Sequence, residues 1–166
     1  MSQDIAVAPR IHISLEHQRL TLIGRDGGVE IEYPVSTGLN GPGERDGSGC
    51  TPRGEHFIRA LIGADQPLRT VFRGRRPTGE IYSPELAQQH PGRDWILSRI
   101  LWLCGRESGK NRGPGVDTFR RFIYIHGTPD TEPMGVPLSH GCVRMRNDDV
   151  VDLFGRVQAG TAVFID

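Results

Sequence analysis

The sequence is poor in lysine. Lys110 is the only one, and the other nineteen of its 20 positive charges are arginines (20 − 1). They balance 20 acidic residues, so the formal net charge is zero. Nothing in the overall charge draws the chain to nucleic acid or to an anionic membrane surface. Base composition accounts for most of the arginines; a few are candidates for gripping carboxylates in the bidentate fork that lysine cannot form. Cysteine is also scarce. Cys50, Cys104 and Cys142 are odd in number and contain no C-x-x-C, which argues against a disulfide framework and leaves at least one free thiol. No apolar run approaches the length of a transmembrane helix, so no membrane span is expected. The opening MSQDIAVAPRI lacks a basic start and an apolar core and does not read as a signal peptide. With Met1 as the native start, the expectation is a cytoplasmic protein.

Several catalytic signatures are absent as well. There is no G-x-S-x-G, no H-E-x-x-H and no serine with a lysine three residues on. GRESGKN is one residue short of a phosphate loop, and Asn111 stands where Ser or Thr would hold magnesium.

What is present is a chain of 166 residues, enough for one domain with a sizeable core. Its first third alternates with period two: Ile11, Ile13 and Leu15, then Leu20 and Leu22, then Val29, Ile31, Tyr33 and Val35. That pattern predicts a meander of short antiparallel strands. Residues 38–54 form a Gly/Pro-rich loop, and HFIRALI from His56 predicts another strand. The basic RTVFRGRRP, Arg69 to Pro77, holds a Gly and a Pro and reads as a solvated turn rather than a nucleic-acid site. Ser83-Pro84 predicts a helix start, ending near His90-Pro91. WILSRILWLCG reads as a strand. FRRFIYIH predicts a central strand with Phe122, Tyr124 and His126 on one face. A helix is expected from an Asn147 cap, with Val150, Leu153, Phe154 and Val157 as its apolar face. TAVFID closes the chain as a strand.

One cluster carries chemistry: His126, and then Ser139, His140, Gly141, Cys142 and Arg144 within PLSHGCVRM. In an extended SHGC, His140 and Cys142 share a face. A nucleophilic cysteine needs a base, donors for the oxyanion and a group that fixes the base's tautomer. His126, ending a central strand, can supply the base. The amides near Gly141 and Cys142 can supply the donors, and a carbonyl near Gly127 or the Ser139 hydroxyl can orient the ring. Spacing alone leaves other readings open. Cys142 could be an inert buried thiol, or His126, His140 and Cys142 could hold zinc. Cys104 is expected in the core, and Cys50 exposed and oxidisable in its loop.

HGT followed by P-x-SHGCVRM resembles the catalytic domain of the L,D-transpeptidase (YkuD-type) family, whose signature is a histidine, a loop and then S/T-H-G-C. PVSTG at 34–38, TPRGEHF at 51–57, ILWLCG and RRFIYIHGT extend the resemblance from about Ile11 to the end. It implies a mainly β, single-domain sandwich or barrel with one or two short helices, covering 11–166 after an N-terminal tail of 1–10. It implies Cys142 as nucleophile, His126 as general base, the Gly127 carbonyl as its orienting group, and the Gly141 and Cys142 amides as oxyanion donors. Ser139 and His140 would shape the site, and Arg144 would meet a substrate carboxylate, the alternative for Arg144 being an ion pair with Asp148 or Asp149. No metal or cofactor is implied. The implied partners are peptidoglycan stem peptides or muropeptides and carbapenem-type inhibitors. The implied reaction cleaves before the terminal D-Ala of a tetrapeptide stem through a thioester. The acyl group then passes to an amine, giving a 3→3 cross-link, or to water, as in an L,D-carboxypeptidase of wall recycling. A non-catalytic muropeptide-binding module and a zinc hydrolase are the competing classes.

Overall fold

A computed structural model describes residues 8–166. Residues 1–7 of the expected tail lie outside the described residues, and Arg10 already begins the first strand. The alternating apolar segments form β1 (Arg10–Ser14), β2 (Arg19–Ile23) and β3 (Val29–Pro34), an antiparallel meander. Every second residue of β1 and β2 is fully buried, as period-two patterning requires. The other strands are β4 (Gly54–Ile62), β5 (Thr70–Arg73), β6 (Arg76–Ile81), β7 (Ile96–Gly105), β8 (Tyr124–Gly127), β9 (Val143–Met145) and β10 (Ala162–Ile165). Two short helices complete the fold, α1 (Pro84–Gln89) and α2 (Asn147–Arg156).

The sheet curls into a barrel-like ring. Its order runs β3-β2-β1-β10-β4-β7, and β7 then passes to β8 and β9 along its other edge. A bridge between Ser36 and Arg144 closes the ring, with Ser36 N donating to the Arg144 carbonyl at 3.0 Å and Arg144 N to the Ser36 carbonyl at 2.8 Å. The main core fills this ring, with residues from β1, β2, β4, β7, β8 and β10 and the Val150–Leu153 side of α2. The fold is therefore mainly β with two short helices, as expected. Among the described residues no helix is long and apolar enough to cross a membrane.

Three local expectations are corrected. The basic stretch from Arg69 is not a solvated turn but a hairpin, β5–β6, whose Val71 and Phe72 are buried. Its apolar Val71 and Phe72 lie between Arg69 and Arg73, and the turn itself is confined to Gly74-Arg75. The strand before His126 begins only at Tyr124. Phe119 to Phe122 turn, and Phe122 has a φ of 57° and is 50% exposed. Asn147 does not cap α2. Arg146 occupies the cap position without a side-chain bond, and Asn147, one residue inside, is fully buried. Ser83, by contrast, caps α1 as expected, its Oγ accepting from Leu86 N at 3.1 Å.

Candidate active site

β8 and β9 pair in parallel, with Ile125 opposite Val143 and His126 opposite Arg144. Cys142 stands immediately before β9, beside Tyr124, so this register places it two positions along β8 from His126. His126 is buried, and its Nδ1 lies 2.7 Å from the Gly127 carbonyl. A carbonyl only accepts, so Nδ1 carries the proton and Nε2 is the basic nitrogen of the neutral ring. Gly127 is wedged: a Cβ there would lie 2.5 Å from the Leu97 carbonyl oxygen and 2.8 Å from Asn147 Oδ1. Asn147 braces this corner from below. Its Nδ2 donates to the Thr128 carbonyl at 2.9 Å and to Asp130 Oδ1 at 3.1 Å, and its Oδ1 accepts from Ser98 Oγ at 2.6 Å.

SHGC is a turn, not an extended segment, because Gly141 has a φ of 125°, which favours glycine. Ser139 Oγ accepts from Gly141 N at 3.1 Å and donates to the Cys142 carbonyl at 2.6 Å. Thr51 Oγ1 donates to the Gly141 carbonyl at 2.9 Å and accepts from Gly38 N at 2.8 Å. Ser139 and Thr51 thus hold the turn from opposite sides. The Gly141 amide is committed to Ser139, whereas the Cys142 amide has no hydrogen-bond partner among the described residues. Of the two expected oxyanion donors, the Cys142 amide is the one left open.

The Cys142 thiol is half-buried. Its Sγ accepts from Tyr124 N at 3.3 Å and donates to the Phe122 carbonyl at 3.3 Å. Its proton is therefore aimed at Phe122 rather than at His126, a common looseness in unliganded sites. Burial pushes the thiol up to about 11. The Tyr124 amide and, more weakly, Arg144 and Arg121 pull it down, while Asp94 pushes it up. Burial also lowers His126, against the raising effects of the Gly127 carbonyl and Asp94. Both shifts favour a neutral thiol and a neutral imidazole in the resting site, because the low-dielectric pocket penalises both charges.

The turn swings His140 outward. Its side chain is mostly exposed, with Nδ1 3.6 Å from Asp94 Oδ2. His126, His140 and Cys142 therefore do not converge, and among the described residues no three His, Cys, Asp or Glu side chains form a metal site. Arg144 pairs with Asp94 at 3.2 Å, not with Asp148 or Asp149. His140 and Arg144 border an open groove of about 350 Å³ that runs past Asp94, Trp95 and Tyr82 of the α1 region. Cys50 and Cys104 are both half-buried, neither fully exposed nor fully in the core. Sequence reasoning missed Asp94, Asn147 in its bracing role, and Arg121, whose Nη2 donates to the Cys50 carbonyl at 2.7 Å beneath the turn. Only Thr51 had a signal, standing first in TPRGEHF.

Comparison with known proteins bears on the family and the fold. The family model of the YkuD L,D-transpeptidase catalytic domain matches residues 8–165. The putative L,D-transpeptidase YqjB of Bacillus subtilis is 49% identical over 141 residues, 84% of this chain and 61% of that protein. The curated relatives that match are longer, and the matched segments span between 14% and 61% of their lengths. Among solved structures, L,D-transpeptidase 3 from Mycobacterium tuberculosis in complex with a faropenem-derived adduct has a TM-score of 0.58 at 16% identity, covering 96% of this chain and 60% of that one. The L,D-transpeptidase LdtMt1 in complex with imipenem has a TM-score of 0.55 at 18% identity, covering 96% and 59%. At these identities the structural matches speak for the fold.

Proposed function

The chain belongs to the L,D-transpeptidase family of YkuD-type catalytic domains, and from that premise we propose that it is a cysteine acyltransferase acting on peptidoglycan tetrapeptide stems. The observation that supports the reading is the parallel β8–β9 register, in which Cys142 leads into the strand paired with the one that carries His126, whose Nδ1 is held by the Gly127 carbonyl. In the reaction, the Cys142 proton turns from the Phe122 carbonyl to His126 Nε2 as Sγ attacks the carbonyl of the third stem residue. The developing oxyanion takes the Cys142 amide. His126 then returns the proton to the nitrogen of the terminal D-Ala, the C–N bond breaks and D-Ala leaves, with the stem held as a thioester on Cys142. An amine attacks this thioester to give a 3→3 cross-link, or water attacks it to give a tripeptide; either way the thiol is restored. Which acceptor wins depends on the effective concentration of a second stem at the site.

Ser139 acts through the turn it ties. His140 and Arg144 line the groove in which the rest of the stem would lie, with Asp94 balancing Arg144 until a substrate carboxylate arrives. Carbapenem-type inhibitors would acylate the same sulfur, a reading supported by the relatives whose structures hold imipenem and a faropenem-derived adduct.

Incubation with a disaccharide-tetrapeptide and mass spectrometry of the products tests the proposal. D-Ala release, with tripeptide or dimer, is expected from the wild type and absent from Cys142→Ala. Intact mass after carbapenem treatment should show one adduct, lost in Cys142→Ala. Release of D-Ala that survives in Cys142→Ala overturns the assignment.

A further inference from the structure

The β5–β6 hairpin carries four arginines, Arg69, Arg73, Arg75 and Arg76, and its tip leans over the nucleophile's neighbours. Gly74 has a φ of 56° and Arg75 a φ of 64°, the two-residue hairpin turn in which both positions favour glycine. A non-glycine residue in this region is strained and persists only where its surroundings hold it. The Arg75 side chain is so held. Its guanidinium carbon lies 5.0 Å from the Trp102 ring centroid and 4.8 Å from that of Phe122, and its Nη1 donates to the Tyr124 hydroxyl at 3.2 Å. Phe122 is itself in the left-handed region, at a φ of 57°, and half exposed. Two of the three residues that seat Arg75 also touch the thiol, since Phe122 O and Tyr124 N both bond Cys142 Sγ.

This half-buried cation lacks a counter-ion. Among the described residues, no carboxylate pairs with Arg69, Arg73, Arg75 or Arg76. A guanidinium offers five N–H donors, and Tyr124 engages only Nη1. Arg144, across the nucleophile, is already balanced by Asp94. Arg144 thus has Asp94 as its partner, whereas Arg75 has no carboxylate among the described residues.

We propose that Arg75, seated on Trp102 and Phe122, is a carboxylate-binding subsite for the residue that leaves. The inference rests on the peptide-cleaving function proposed above. The leaving amino acid carries a free carboxylate three bonds from the carbonyl carbon under attack, so an arginine beside the nucleophile's own contacts is placed to receive it. Binding there would orient the scissile bond and explain why a strained arginine, rather than glycine, occupies the turn.

The test pairs two substrates with three proteins. The disaccharide-tetrapeptide and its C-terminal amide are given to the wild type, Arg75→Lys and Arg75→Gly. Glycine suits the turn, so Arg75→Gly removes the guanidinium without threatening the fold. On the acid, Arg75→Gly should lose roughly 10- to 100-fold in kcat/KM, the range of a hydrogen bond to a charged group. Arg75→Lys should fall between. On the amide, wild type and Arg75→Gly should be nearly equal. Equal losses on acid and amide, or none on either, refute the subsite while leaving the proposed function standing. Failure of the wild type to release alanine or alaninamide refutes both.

Discussion

Replacing His126 by glutamine should turn a pH-insensitive acylation into one driven by hydroxide. The Cys142 thiol is pushed up to about 11, chiefly by burial, so about 10⁻⁴ of it is thiolate at pH 7, four units below. Attack that waits for spontaneous ionisation is slowed by about that factor. A neutral His126 removes the proton as the S–C bond forms, and general-base help of this kind is typically worth ~10²–10⁴. Burial holds His126 below its ordinary value, which favours the neutral ring as the base at neutral pH. The wild-type rate should therefore be nearly flat from about pH 7 to 9. In His126→Gln the rate at pH 7 should fall ~10²–10⁴, and what survives should climb tenfold per pH unit. Stopped-flow acylation by a carbapenem, followed by loss of β-lactam absorbance from pH 6 to 9.5, reads both profiles. A pH-flat His126→Gln, or a wild-type rate that tracks a thiol titrating near 7, would falsify the neutral-pair mechanism.

Gly141→Ala should cost about 1–3 kcal/mol in stability, because the turn needs a φ of 125° and the new Cβ would sit 3.0 Å from the Cys50 carbonyl; a lowered Tm together with slower acylation is expected, and a wild-type Tm counts against it. His56 is pushed down to about 4 by burial, so between pH 6.5 and 4 the unfolded chain binds the extra proton. Stability should fall as pH drops through that window, by about 3 kcal/mol in all. Melting curves at pH 7 and 4.5 measure the loss, and a His56 resonance titrating at 6.5 contradicts its cause. Arg144→Lys keeps the charge but loses the fork, so KM for the stem should rise several-fold; an unchanged kcat/KM would reduce the Asp94 pair to a structural contact.

Much of the fold was legible. Period-two alternation in residues 11–35 predicted β1 to β3, and the Ser83-Pro84 pair predicted α1, because both signals act within a few residues. Where the cause was tertiary, the reading slipped. FRRFIYIH looks like one continuous strand, yet Phe122 is bent into the left-handed region where Arg75 packs on its ring. Asn147 has the chemistry of a cap, but Ser98, Thr128 and Asp130 claim its side chain inside the barrel.

The candidate site divides in the same way. The sequence by itself determined which groups are available: a histidine at the end of an apolar strand, and a glycine between His140 and Cys142 that permits a tight turn. Residue types and local backbone preference suffice for that. Only the tertiary structure decided how those groups sit. The β8–β9 register put Cys142 beside Tyr124 on the strand that carries His126, the turn sent His140 out to Asp94, and Ser139 took the Gly141 amide. Burial, which no local pattern encodes, pushes the thiol up and the imidazole down, because desolvation depends on everything packed around them rather than on their neighbours in the chain.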